Sequence, residues 1–136
     1  MQITASVKNG LHLHEVTVAT NDNPKQIPIP PEPAGHGSSV NGGELLFLAL
    51  ATCCCNDIYR EAAKRQMKID SVDVQVSGTF GGEGDPARDI TYRVNVIAPE
   101  HSSEEIASLI EFVDRIAEIH NTLRKGIAVT LNTVPV

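Results

Sequence analysis

NGGELLFLALATCCC, residues 41–55, is the passage on which the fold turns. Asn41 has the side chain of a helix N-cap, and Glu44 stands three residues later, where its carboxylate can reach back and complete a capping box. From Leu45 to Cys55 almost every residue is apolar or small. A helix that is apolar all round is buried all round. From Asn56 to Lys68 the composition turns polar, with Asn56, Asp57, Arg60, Glu61, Lys64 and Arg65. The passage predicts one long helix over residues 42–67, buried in its first half and emerging into solvent in its second.

Upstream, residues 2–8 and 11–20 alternate apolar and polar around Asn9-Gly10. Asn-Gly between alternating runs predicts a hairpin, because both residues tolerate positive φ in a type I′ turn. A turn at 21–24 follows, then Ile27-Pro28-Ile29-Pro30-Pro31, whose prolines confine it to a sheet edge or a loop. Residues 33–43 form a loop rich in Gly and Ser.

Downstream, Ser71 to Phe80 and Arg88 to Ala98 alternate on either side of Gly81–Pro86, which predicts an antiparallel pair. Ser102 or Ser103 caps a second helix, with Glu104 and Glu105 favourable to its dipole. Ile106, Leu109, Ile110, Val113, Ile116 and Ala117 make its apolar face. Gly126 closes a further short helical turn, and Ile127 to Val134 reads as a last strand. The order of elements is that of a single α+β domain over residues 1–136 with mainly antiparallel sheet, packed around the cysteine-bearing helix.

Composition narrows the functions. The net charge of −6 with no basic block argues against nucleic acid or an anionic membrane as the main partner. The N-terminus, MQITASVKNG, has no signal-peptide core. The apolar run Leu45–Cys55 is short of the roughly 20 residues that span a bilayer. Cys53, Cys54 and Cys55 are consecutive and unaccompanied, giving neither a disulfide framework nor a zinc-binding pair. A cytoplasmic, reducing setting fits best.

With Glu44-Leu45 setting the register, the eighth residue after Leu45 is Cys53. In this the chain resembles the OsmC/Ohr family (osmotically inducible protein C / organic hydroperoxide resistance), as do its element order and the segment HNTLRKGIAVTL. The resemblance implies an intertwined homodimer with the two cysteine helices at its centre. It implies Cys53 as a thiolate that attacks an organic hydroperoxide and becomes a sulfenic acid, with which a second cysteine condenses to a disulfide that a dithiol reductant clears. An arginine and a glutamate of the family favour that thiolate, as positive charge does for any thiol.

Three of those parts are missing or moved. The family's second cysteine falls near Ala117, and no cysteine follows Cys55. There is no arginine before Arg60, and His12 and His14 lie where the family's arginine is expected. The family's glutamate aligns near Gly43, with Glu44 displaced by one.

The candidate catalytic residues are therefore Cys53 and, on the same helical face, Arg60. Asp57 shares that face and competes for Arg60. Glu44, His36 in the glycine-rich loop, Cys55 and His120 are candidate supporting or substrate-binding residues. Residues 53 and 55 point about 200° apart on one helix, so a bridge between them within one chain is disfavoured. Cys54 reads as packing, and His120 as a core histidine with its hydrogen bonds satisfied. His12 and His14 fall on one face of the expected strand and with Cys53 make only a thin metal set; neither a metal nor a cofactor is expected.

Two functions fit these residues. One is a one-cysteine peroxidase that uses an external thiol reductant. The other is a relative without peroxidase activity that binds a small apolar or anionic ligand at the dimer interface. A raised Cys53 pKa favours the second.

Overall fold

A computed structural model of the chain describes residues 1–132. Its elements are β1 (Ile3–Gly10), β2 (Leu13–Thr20), β3 (Asn23–Gln26), α1 (Gly42–Lys64), β4 (Ser71–Thr79), β5 (Arg88–Ile97), α2 (Ser103–Ile116) and α3 (Glu118–Lys125). The backbone divides into two compact units, one from Met1 to Leu45 and one from Leu46 onward.

The first unit is an antiparallel meander in the order β1-β2-β3. Its first turn is not at Asn9-Gly10. Gly10 pairs with Leu13, so the loop residues are Leu11 and His12, and His12 takes the positive φ of 57°. Asn9 lies in the ladder opposite His14, and its side chain bonds the Gly37 backbone. Its amide donates to the Gly37 carbonyl at 3.0 Å and accepts from the Gly37 N–H at 2.9 Å. His12 and His14 therefore do not share a strand face, since His12 is in the turn. Asn21, at φ 54°, helps form the next turn, and Pro24 lies in β3, an edge strand that tolerates its missing N–H.

Helix α1 begins with the expected capping box. The Glu44 N–H donates to Asn41 Oδ1 at 2.8 Å, and the Asn41 N–H donates to Glu44 Oε1 at 2.9 Å. It ends at Lys64, three residues before the expected end. Gln66 adopts φ 56°, the Gln66 N–H reaches the Ala63 carbonyl, and the Met67 N–H reaches the Ala62 carbonyl, which is a Schellman closure without glycine.

Burial along α1 also departs from expectation. The buried residues are Leu50, Cys54, Asp57, Ile58, Glu61 and Ala62, while Leu45 and Leu48 are exposed. The apolar half is thus open on one face, and the polar half enters the core. Two buried carboxylates are tolerable there because Arg60 and Lys64 extend over them from the exposed side (see below).

The second unit holds the core. Cys54, Ile58 and Ala62 of α1 meet Val96 and Ala98 at the end of β5 and Leu109 and Val113 of α2. Val72, Val74, Tyr92 and Val94, on the inner face of the β4–β5 pair, pack against that cluster. The cross-strand pairs Val72–Val96, Val74–Val94 and Val76–Tyr92 follow from the alternation in sequence. The ladder shifts register between Ser77 and Thr79. The intervening Gly78 has no room for a Cβ, which would lie 2.8 Å from the Phe47 ring.

Ser102 caps α2, its hydroxyl accepting from the Glu105 N–H at 3.1 Å. Ala117, extended and fully buried, separates α2 from α3, and Gly126 closes α3 in the left-handed conformation. Residues 127–132 form no strand, contrary to the expected last strand at 127–134; residues 133 and 134 lie outside the described residues. Among the described residues, no helix is long and apolar enough to cross a membrane.

Candidate functional site around Cys53

Cys53 sits one helical position before the buried Cys54, on a face of α1 that is only half-buried. Two carboxylates stand over its sulfur. Asp57, one turn on, lies 3.8 Å away, and Glu118, from the first turn of α3, lies 4.0 Å away. The interruption of the helix at Ala117 lets α3 begin there, which is how a residue 65 positions downstream reaches this thiol.

The thiol responds to its surroundings. Burial raises its pKa above the ordinary value, a backbone hydrogen bond at Ile119 offsets part of that, and Asp57 and Glu118 raise it further. Cys54, deeper in the core, is pushed up to about 12, again chiefly by burial. Cys55 is half-buried, and all three thiols are free.

Arg60 is occupied. It bonds Asp57 Oδ1 at 2.7 Å and Glu61 Oε1 at 3.2 Å, while Lys64 bonds the same Glu61 oxygen at 2.9 Å. Asp57 is 3% exposed, so this is not the surface pair that helical spacing alone suggests. Its carboxylate stands between Arg60 and the thiol, bonding the cation with one oxygen and facing the sulfur with the other.

Cys53, Asp57 and Glu118 offer three ligand atoms within 4.8 Å of one another, the one such group among the described residues. One of its carboxylates, Asp57, is ion-paired with Arg60. Glu44 is committed to the capping box, and His36 is exposed on the loop of the first unit.

His120 is 4% exposed, but neither ring nitrogen has a hydrogen-bond partner among the described residues. The expected satisfied core histidine is thus buried and unsatisfied, and a buried polar group left unpaired costs about 1–3 kcal/mol. Its ring meets the Tyr92 ring edge-on, with centroids 4.7 Å apart. Tyr92 donates to Asp114 Oδ1, and Arg124 donates to the same oxygen at 2.7 Å. This consumes the polar groups near the imidazole without satisfying it. Burial and then Arg124 lower the His120 pKa, so the ring is neutral at pH 7.

Sequence reasoning placed Cys53, Asp57 and Arg60 on one face, and there they lie. It missed Glu118. The available signal was position, since Glu118 follows Ala117, where the second cysteine of the resembled family falls.

An α+β chain with two antiparallel sheets and a cysteine on its longest helix defines a class, and comparison gives the class a family. Residues 35–132 match the family model described as OsmC-like protein, and the chain belongs to the OsmC family. No curated protein matches it. Among solved structures it resembles an OsmC-like protein from Mycoplasma pneumoniae at 22% identity and a TM-score of 0.62, over 90% of this chain and 86% of that one. It also resembles an organic hydroperoxide resistance protein OsmC from Legionella pneumophila, at 16% identity and a TM-score of 0.59, over 91% and 90% of the two chains. The organic hydroperoxide resistance protein OhrB of Bacillus subtilis matches at 17% identity and a TM-score of 0.53, over 89% and 90%. At these identities the likeness is one of fold.

Proposed function

We propose that this chain is an OsmC-family protein that binds a small apolar or anionic molecule, rather than a peroxidase, and that it works as a homodimer. One observation carries the reading: the Cys53 sulfur faces two carboxylates, and the candidate helper Arg60 is spent on Asp57 and Glu61.

Peroxide reduction needs the thiolate. Its sulfur attacks one peroxide oxygen, the O–O bond breaks, and an alkoxide leaves to take up a proton. Nearby positive charge favours both the thiolate and the departing anion. Two carboxylates oppose both. The homodimer is supported by apolar side chains uncovered in the single chain, among them Ile3 at 62%, Val7 at 63% and Leu48 at 59% exposure. Three free cysteines suit a reducing, cytoplasmic setting.

The test is stopped-flow reaction of the reduced protein with cumene hydroperoxide beside a Cys53→Ser variant, with sulfenic acid trapped and located by mass spectrometry. The reading expects a rate no better than that of a free thiol. Fast, Cys53-dependent sulfenic acid formation would restore the one-cysteine peroxidase, with Arg60 as helper and an external thiol as reductant.

A further inference from the structure

We infer that His101 is a proton-sensitive latch on the segment that leaves the cysteine helix: closed while its Nε2 is bare, and released at Lys68 when the ring takes a second proton. The latch depends on neither Cys53 nor the homodimer, and so stands apart from the ligand-binding reading.

Residues 65–70 carry the chain from the end of α1 to the start of β4. Two of their backbone donors make bonds that do not titrate. The Met67 N–H donates to the Ala62 carbonyl at 2.8 Å, and the Asp70 N–H donates to the Ile97 carbonyl at 2.8 Å. Between them, the Lys68 N–H donates to His101 Nε2 at 3.0 Å. A backbone N–H can only donate, so Nε2 accepts and carries no proton. The proton of the neutral ring is then on Nδ1, which donates to Glu105 Oε2 at 2.8 Å. His101 itself stands in the turn between β5 and α2, its backbone N–H donating to the Ala98 carbonyl at 3.0 Å. One imidazole, with both nitrogens in use, thus ties the exit of α1 to the first turn of α2.

A second proton turns Nε2 from an acceptor into a donor that faces another donor. The bond to Lys68 is lost, whereas the bond to Glu105 is kept and strengthened by the charge. The ring stays with α2 and lets go of the other side. Lys68 is exposed, so its freed N–H turns to water. The charged groups around the ring divide in the same way. Glu104 and Glu105 of α2 favour the added charge, and Arg65 and Lys68 oppose it. The His101 side chain is 17% exposed and lines an open hollow with Arg65, Met67 and Ser108, so protons reach it without unfolding.

The experiment uses the full chain, labelled with nitrogen-15, from about pH 8 to 5, the interval in which histidine side chains change charge. A long-range proton–nitrogen spectrum reads which ring nitrogen of His101 is bare. Water exchange at the Lys68 amide, divided by its intrinsic rate at each pH, reads the latch. His101→Gln removes the titrating group, and circular dichroism checks that it folds.

Nε2 is expected to be the bare nitrogen at the alkaline end. Lys68 protection is expected to fall about three- to tenfold, the worth of one hydrogen bond, along the titration of His101. The Met67 amide is expected to keep its protection, and H101Q to show no pH dependence at Lys68. A proton on Nε2 at the alkaline end overturns the latch. So does unchanged Lys68 protection across a completed His101 titration. Joint loss at Lys68 and Met67 means a general loosening instead, and pH dependence that persists in H101Q assigns the effect to the carboxylates of α2; either result also overturns it. The parent protein decides every measurement but the last.

Discussion

The β1–β2 and β4–β5 ladders are built alike and covered differently. Each is an antiparallel pair of eight to ten residues per strand with apolar residues at alternate positions. The inner face of β4–β5 lies against Cys54, Ile58, Leu109 and Val113, so its alternation becomes burial. In β1 no residue is buried, and Ile3 and Val7 remain open. Alternation therefore specifies which side chains share a face, while what covers that face is decided elsewhere. For the second unit the cover is in the same chain. For the first we propose that the homodimer supplies it.

The contrast can be broken most strongly at the core. Leu109→Ala, at a residue with 0% exposure, is expected to cost about 2–5 kcal/mol in urea unfolding. Val7→Ala is expected to stay within about 1 kcal/mol when the protein is dilute. Equal costs would mean that the first sheet has a cover within the chain. A charge sharpens the point: Val7→Lys is expected to raise the dimer dissociation constant at least tenfold, about 1.4 kcal/mol, in analytical ultracentrifugation. An unchanged constant would place the interface elsewhere.

Local signals should be equally strong in both regions, because they need no cover. Asn41→Ala and Ser102→Ala each remove a helix cap and are each expected to lower stability by about 1 kcal/mol.

The smallest effect is one of pH. His120 has a folded pKa below its ordinary 6.5, so below that value the unfolded chain binds more protons and stability falls as pH falls. Thermal midpoints from pH 7 to 5 should therefore decline less in His120→Phe than in the parent protein. Identical slopes would remove His120 as a contributor.

What was legible in the sequence was local. The capping box at Asn41 and Glu44, a serine cap at 102 or 103 and the shared faces of Val72, Val74 and Val76 and of Tyr92, Val94 and Val96 are each set by residues a few positions apart or by a period of two. What was not legible depended on distant partners. Asn9-Gly10 lies in the ladder instead of the turn, and the Asn9 side chain bonds the backbone at Gly37, 28 residues away, a contact no local pattern shows. The end of α1 was overrun because Gln66 takes a positive φ that sequence preference assigns to glycine or asparagine. Asp57 and Glu61 fall in the polar half that the sequence sends into solvent, since nothing in a helical pattern says that Arg60 and Lys64 will cover them. At the site, helical spacing gave Cys53, Asp57 and Arg60, but Glu118 arrives from another element. Its charge adds to burial and Asp57 in raising the thiol pKa above its ordinary value.

The central claim is that Cys53 is protonated at neutral pH, and its titration tests that most directly. The rate of iodoacetamide alkylation at Cys53, resolved from Cys54 and Cys55 by mass spectrometry, would be followed against pH. The account predicts a midpoint above the ordinary thiol value of 9.0. A midpoint well below it would contradict the account and return Cys53 to the role of attacking thiolate.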